Sequence, residues 1–511
     1  MAAFSVDDLR GVEPNLTRGA DSLTSRLPKP AEVVEEPIYS VKRPGYSRVV
    51  LAGIIRFVEF MLIVGAGLLA DIAYIAPSDG KSVAYLATIP CISAFVVVTF
   101  EIAGIYRINA FRISGQLIRL VAAWSLVFGS LLSAAHFAKL NPASASAWLA
   151  GWYLFGLVAL LTERAGLSLF VGHLSRTGRL ERRTAIVGGG PAADQLLEQL
   201  ARGPQNELSI CGIFDDRTDE RSPMSVCGFP KLGTVDDLIG YARRERLDLV
   251  IFTLPISAEG RLLQMLRKLW VLPVDIRLAA HINKLRFKPR AYSYIGTVPL
   301  LDVFDKPIAD WDVVLKYLFD KLVGSLCLLF LAPVMLLVAA AVKVSSPGPI
   351  LFKQNRYGFN NELIEVLKFR SMYVDQLDPN AAKLVTRDDA RVTPVGRFIR
   401  KTSLDELPQL INVVFKGNLS LVGPRPHVIH AKAADHQYDE VVDGYFARHR
   451  VKPGITGWAQ IHGWRGNTDT QEKIQKRVEC DLYYIENWSL LLDLYILAAT
   501  PLALFKTENA F

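Results

Sequence analysis

Four uninterrupted apolar stretches, residues 49–76, 82–106, 113–138 and 147–174, constrain this 511-residue chain more than any other feature. Each approaches or exceeds the roughly 20 residues a helix needs to cross about 30 Å of hydrocarbon. A helix satisfies its own backbone over that length, so the pattern predicts four transmembrane helices within residues 47–175. Lys42, Arg43 and Arg48 precede the first stretch, Arg107, Arg112 and Arg119 lie between the second and third or just inside the third, and Arg176, Arg179, Arg182 and Arg183 follow the fourth. The other two loops hold only Lys81 and Lys139, which places both ends of the block in the cytoplasm. Arg56, Glu59, Asp71, Glu101, Glu163 and Arg164 fall within or near the span ends, where snorkelling or pairing inside the bundle accounts for them better than a transport path.

Residues 1–46 are polar and spotted with proline and carry no signal-peptide pattern, so a flexible cytoplasmic tail is expected. The apolar fraction of 51% requires modules in lipid, and the net charge of +8 suits anionic headgroups or phosphates as well as nucleic acid. Cys91, Cys211, Cys227, Cys327 and Cys480 form no CxxC pair, which argues against a structural zinc site or a disulfide framework.

A fifth apolar run, 322–344, differs from the four before it. It carries Pro333 at its midpoint, Lys316 and Lys321 before it, and Lys343 at its end. Basic residues on both flanks and a proline break predict a segment of about 318–344 that enters the membrane and returns. An ordinary kinked span is the alternative.

Between these membrane segments, residues 180–300 read as a soluble, Rossmann-like α/β domain with a parallel sheet. Strands are expected at 184–187, 210–214, 247–253 and 274–278, with a helix at 193–200. Gly188-x-Gly190-x-x-Ala193 fits a dinucleotide turn, and Asp215 ends the second strand where an acid could meet a ribose. One such motif is a weak signal. A domain that keeps the glycines for geometry and binds no nucleotide is the favoured reading.

Residues 309–511 hold the chemistry. Arg356, Lys368 and Arg370 sit in short basic strings, and Arg425 is presented between Pro424 and Pro426, a rigid fork suited to phosphate. Between them lies Ser403-Leu404-Asp405-Glu406-Leu407-Pro408-Gln409-Leu410. Ser403 and Glu406 match a capping box, the reading that local pattern favours, yet Pro408 allows the regular helix to begin later and leave both acids on its leading edge. There, Asp405 could act as a nucleophile toward phosphorus and Glu406 could help to hold Mg²⁺. His427, His430 and His436 lack metal-type spacing and receive no catalytic role.

Together with Ser346-Pro347-Gly348-Pro349, Lys452-Pro453-Gly454-Ile455-Thr456-Gly457-Trp458-Ala459-Gln460 and Asp481-Leu482-Tyr483-Tyr484-Ile485-Glu486-Asn487-Trp488-Ser489, these strings resemble the bacterial sugar transferase family, the large monotopic phosphoglycosyl transferases. The resemblance covers nearly the whole chain beyond its tail and points to the long subgroup that begins exopolysaccharide or capsule repeat units. It implies an α/β transferase domain with a re-entrant membrane helix, here broken at Ala332-Pro333 where the family has Ser-Pro. It implies Asp405 as nucleophile on the β-phosphorus of a UDP-sugar, Glu406 as its dyad partner, and Mg²⁺ held at Asp405 and Glu406. Arg425, then Lys368, Arg370 and Arg356, would bind phosphate. The partners implied are a UDP-sugar donor, UDP-glucose first and UDP-galactose second, an undecaprenyl phosphate acceptor, membrane lipids and downstream glycosyltransferases, with no nucleic acid. The middle domain offers a homodimer contact, and the enzyme would sit in the bacterial inner membrane with its catalytic domain facing the cytoplasm. Two rivals stand beside this reading. An NAD-dependent enzyme at the Gly188 turn would need a Tyr-x-x-x-Lys pair, which neither Tyr292 nor Tyr294 supplies. A non-catalytic scaffold of polysaccharide export would have little reason to keep Asp405, Glu406 and Arg425.

Overall fold

The computed structural model describes residues 45–74, 82–106, 113–137, 142–202, 208–217, 222–254, 258–279, 292–295, 298–376, 389–426, 432–433, 436–437, 445–464, 466 and 470–505. The predicted tail up to residue 44, Arg107, Arg112, Lys81, Lys139, His427 and His430 lie outside the described residues. The chain divides into two compact units, one within residues 38–182 and the other within residues 183–203 and 210–511.

The first unit consists of α1 (Arg48–Tyr74), α2 (Ser82–Ile102), α3 (Ile113–Phe137) and α4 (Pro142–Arg176). Among the described residues four helices are long and apolar enough to cross a membrane, namely α1, most of α3 and of α4, and a helix at 310–345, while α2 contributes a shorter apolar stretch at 87–102. Large rings fill the space between the first four helices. Trp124, Phe128, Trp148 and Trp152 form a buried cluster, and the Trp152 indole donates to the Ile63 carbonyl at 2.8 Å, so its one polar atom is satisfied where water is excluded. Ionisable side chains pair inside the bundle, as expected for groups in lipid. Fully buried Glu59 pairs with Arg164 and accepts from the Tyr106 hydroxyl at 2.6 Å, whereas the side chains of Arg56 and Glu101, which pair at 2.5 Å, are 40% and 54% exposed.

In the second unit, eight strands form one sheet, in the order β3-β4-β2-β1-β5-β6-β8-β7. They are β1 (Arg182–Val187), β2 (Leu208–Phe214), β3 (Ser225–Val226), β4 (Phe229–Gly233), β5 (Leu249–Phe252), β6 (Asp275–Ala279), β7 (Tyr292–Ile295) and β8 (Val298–Phe304). The four predicted strands are β1, β2, β5 and β6, short runs buried along most of their length as strands covered on both faces must be. The sheet is mixed rather than wholly parallel. β1, β5 and β6 run parallel, whereas β8 pairs antiparallel with β6 and β7 with β8, because a short connection between β7 and β8 makes a hairpin. Helices α5 (Pro191–Arg202), α6 (Val235–Arg244) and α7 (Glu259–Leu269) connect the strands. A complete capping box starts α6, with Thr234 accepting from the Asp237 N–H and Asp237 accepting from the Thr234 N–H.

The same unit continues into α8 (Asp310–Ser345), a helix assigned through Pro333 without interruption. β9 (Leu351–Tyr357) and β10 (Leu363–Phe369) form an antiparallel hairpin, and α9 (Pro394–Lys401) follows, started by Thr393, whose hydroxyl accepts from the Gly396 N–H, with Pro394 at the first helical position. Then come α10 (Gln409–Ile411), a π-helical turn at Asn412–Lys416, β11 (Ser420–Val422) paired parallel with β12 (Gly454–Thr456), α11 (Gln471–Glu486) and α12 (Leu490–Phe505). A core of Phe319, Val366, Leu410, Val413, Leu421, Tyr484 and Ile496 joins these elements.

Candidate active site

Side chains alternate along a strand, so Gln354 and Arg356 on β9 share a face of the hairpin with their partners Val366 and Ile364, and with Lys368, on β10. Opposite that face stands the segment Leu404–Glu406. It is a 3₁₀ turn rather than the start of a regular helix, and the predicted capping box does not form. Ser403 adopts a left-handed conformation (φ 59°, ψ 16°) and makes no side-chain cap bond. The α-helical bonds begin only past Pro408, which is the N-cap of α10. A proline that cannot donate separates the acids from the helix proper and leaves Glu406 free to point at the hairpin.

Glu406 is the hub. Its Oε1 accepts from Lys368 Nζ at 2.9 Å and Arg425 Nη2 at 2.5 Å, and its Oε2 from Arg425 Nη1 at 3.4 Å. Arg356 completes the cluster, donating to Gln354 Oε1 and to the Pro426 carbonyl at 2.6 Å. Arg356, Lys368, Glu406, Gln409, Arg425 and Gly454 thus line one cleft. Its electrostatics separate two neighbouring acids. Burial raises the Asp405 carboxyl to about 6, with Lys368 pulling it back and the Glu406 charge adding to the rise. Burial also disfavours the Glu406 anion, but Arg425 and Lys368 outweigh it and hold Glu406 well below the usual carboxylate range. Burial and the neighbouring Arg425 lower Arg356 to about 10, and burial lowers Lys368 despite Glu406.

Of the sequence candidates, the fold therefore brings Glu406, Arg425, Lys368 and Arg356 together, with buried Asp405 adjacent. Arg370 stands apart. Its guanidinium donates to the carbonyls of Pro347 at 2.6 Å and Ser346 at 2.7 Å, holding the turn where α8 ends. Pro333 lies within α8, far along the chain from the cleft. Gly188 and Gly190 take positive φ (100° and 80°), as a tight turn before α5 requires. The Gly189 N–H between them donates to Asp215 Oδ2 at 2.7 Å, and Arg217 forms a forked pair with the same carboxylate. An internal anion thus fills the turn.

Several residues passed over in the sequence shape this site. Asn412, fully buried, accepts from the Leu367 N–H at 3.0 Å and donates to the Glu365 carbonyl at 2.7 Å, tying α10 to the strand that bears Lys368. Its signal was a lone amide in an apolar run. Lys316, which the charge pattern marks only as a membrane flank, donates to the Val422 carbonyl at 2.9 Å and pairs with Asp493. Arg448 donates to the Arg425 carbonyl at 2.9 Å.

Mg²⁺ takes hard oxygen ligands in an octahedral shell. Two adjacent carboxylates fit part of such a shell, and among the described residues no group of three or more His, Cys, Asp or Glu gathers to fill it. Donor phosphates and water would have to supply the remainder, with Asp405 the readier ligand because Glu406 already accepts from two cations.

Comparison with known proteins agrees with this layout. Residues 311–507 match the family described as bacterial sugar transferase, and residues 101–280 match a CoA-binding domain family. A UDP-glucose:undecaprenyl-phosphate glucose-1-phosphate transferase of Xanthomonas campestris pv. campestris is 32% identical over 90% of this chain and 94% of its own length. Proteins of the same description from Klebsiella pneumoniae and Escherichia coli (strain K12) are 38% and 36% identical, over 70% and 71% of this chain, and each match covers 76% of the relative.

Proposed function

The chain belongs to the bacterial sugar transferase family, and from that premise we propose that it transfers glucose 1-phosphate from UDP-glucose to undecaprenyl phosphate, releasing UMP. The observation that carries the reading is the separation of two adjacent carboxyls, one saturated by cations and one raised to about 6. A carboxylate of that kind is mostly ionised at neutral pH yet more basic than an ordinary aspartate, which suits a nucleophile.

In the first half-reaction an Asp405 oxygen attacks the β-phosphorus of the donor. The bond from that phosphorus to the bridging oxygen breaks, UMP leaves with the electron pair, and an aspartyl phosphoglucose remains. A phosphate oxygen of undecaprenyl phosphate then attacks the same phosphorus, forming undecaprenyl diphosphate-glucose and returning the Asp405 carboxylate. Arg425, Lys368 and Arg356 stabilise the diphosphate charge, and Glu406 holds the first two in place until the donor's oxygens share them. Bound at Asp405, Mg²⁺ would offset further negative charge on the diphosphate. Diphosphate is exchanged for diphosphate, so the reaction needs little driving force.

Further readings complete this account. The α/β sheet unit is Rossmann-like and serves geometry rather than nucleotide binding, supported by the Asp215 carboxylate on the Gly189 N–H. The protein is an inner-membrane enzyme, and α8 enters and leaves on the cytoplasmic side. Gly324 lies against Val413 and Val414, while Val338 and Val342 pack with Leu404 and Leu407 a short way up the same segment. Pro333 near the midpoint removes one helical hydrogen bond and is where such a helix would turn back. Cysteine placed at Lys353 should then react with an impermeant maleimide only after the inner membrane is opened; labelling in intact cells would remove the re-entrant reading. A middle-domain homodimer and hand-over of the lipid product to glycosyltransferases belong to the same picture; a monomer by mass photometry in detergent would count against the first.

The decisive experiment measures UMP release and lipid-linked sugar from a panel of UDP-sugars, using membranes with the parent chain or its Asp405→Asn variant. UMP from UDP-glucose with the parent alone supports the reaction. Release from UDP-galactose instead would change the sugar, and equal release from parent and variant would remove the mechanism and leave the scaffold.

A further inference from the structure

The segment that presents Arg425 is pinned through its carbonyls. That of Val422 accepts from Lys316, Ser420 and Tyr484, that of Pro424 from the Gly454 N–H, and that of Pro426 from Arg356. The carbonyl of Arg425 itself accepts from Arg448, an arginine almost completely buried (1% exposed) and paired with an equally buried carboxylate, Asp481. Burial raises the Asp481 carboxyl, against the pull of Arg448 and Arg477. A pair so far from water gains little or nothing in stability over apolar residues of similar volume, because desolvation offsets the attraction. Its value must be sought in what it holds.

We propose that Arg448 is a positioning residue for the transfer reaction: locked by Asp481, it fixes the Arg425 carbonyl and thereby the place where the Arg425 side chain meets Glu406 and the donor's diphosphate. This rests on the reaction proposed above. Arg448 is not one of the residues lining the cleft and reaches the lining residue Arg425 at its carbonyl, so it acts through the backbone of its neighbour. It belongs to a 3₁₀ turn, Tyr445–Arg450, anchored on both sides. Arg243 at the end of α6 lies 5.7 Å over the Phe446 ring, and Arg450 donates to the Asp305 carbonyl at 2.8 Å. Through this turn the sheet unit bears on the catalytic arginine, which gives that unit a part in the reaction without a bound nucleotide.

The test uses the full-length protein in detergent or native membranes. Arg448→Met alone strands Asp481 and is expected to unfold readily, so the informative protein is Arg448→Met/Asp481→Leu, which removes both charges and should recover the parent's Tm. Displacing a phosphate-binding group by about 1 Å can cost about 100-fold, so kcat/KM for UDP-glucose should stay about 100-fold low in this stable double variant. Added to Arg425→Gln, the same pair should cost no more than about threefold, because both changes remove one interaction. The amides of Leu421, Val422, Gly423 and Arg425 should exchange with deuterium faster than in the parent. A stable double variant with parental kcat/KM, or a full further 100-fold loss on Arg425→Gln, would make the pair structural only. If the parent released no UMP, the proposed reaction would fall, and exchange would still decide: unchanged protection at 421–425 overturns the positioning role.

Discussion

Replacing Lys368 by Gln tests the electrostatics of the site most directly, because Lys368 is the strongest influence holding Asp405 down against its burial. With the carboxyl at about 6, the acid limb of log kcat/KM for UMP release should rise with unit slope and level off above that pH. Removing an opposite charge from beside a carboxylate raises its pKa by about 1 or more. A move from about 6 to about 7 lowers the ionised fraction at pH 6.5 from about three quarters to about one quarter, and leaves more than about nine tenths ionised at pH 8 in both proteins. Lost contact with the diphosphate will also slow Lys368→Gln at every pH. The diagnostic is therefore the variant-to-parent ratio, which should be about threefold worse at pH 6.5 than at pH 8. Lys353→Gln, which changes an exposed lysine paired with Glu365, should leave the limb in place. Stopped-flow detection of UMP across pH 5–8.5 gives both curves. If the Lys368→Gln limb coincides with the parent's or moves to lower pH, Lys368 does not govern the ionisation of Asp405.

The same carboxyl makes a prediction about stability. Its folded pKa lies above the unfolded value, so folding favours its protonated form, and stability falls as pH rises from 3.8 towards about 6. That gap corresponds to about 3 kcal/mol as an upper figure, so Asp405→Asn should raise Tm at pH 7.5 while abolishing UMP release, and the gain should vanish near pH 4; a variant less stable than the parent at pH 7.5 would refute this. Asn412→Leu leaves the Leu367 N–H and Glu365 carbonyl without their partner and should cost about 2–4 kcal/mol by denaturant melt, with activity lost as the hairpin drifts from α10. In the bundle, Glu59→Gln should cost about 3–5 kcal/mol by thermal unfolding in detergent, because it removes the fully buried partner of Arg164 and leaves it the longer Glu163 contact at 3.6 Å, whereas Glu59→Leu/Arg164→Leu should recover most of it. Equal losses from the two proteins would show that packing, not charge, is at stake.

Much of this protein was legible before its coordinates. Hydropathy period and length placed α1 to α4 and the fifth apolar segment, since lipid admits few backbone solutions for such runs. Four central strands and the α5 helix followed from short apolar runs and the glycine turn at 188–190. Arg425 stood out because prolines frame it, and Asp405 and Glu406 as adjacent carboxylates whose catalytic role the family resemblance implied. What local pattern could not decide was partnership. Local pattern favoured a capping box at Ser403 and Glu406 over a catalytic dyad, and only the approach of Lys368 from β10 and Arg425 from beyond β11 turned Glu406 outward. The basic strings looked alike in sequence, yet strand alternation sends Lys368 to the cleft, while Arg370, two residues on, leaves the strand and closes the turn after α8. Arg448 and Asp481, distant in the chain and ordinary in their surroundings, acquire meaning from a shared burial beside one carbonyl. Sequence by itself determined which segments are long and apolar enough to cross a membrane and which residue types the chemistry has available, because those depend on composition along a few turns of chain. Tertiary structure alone decided which charges neutralise one another and which is left basic enough to react, because those energies depend on distances and burial that no local run of residues encodes.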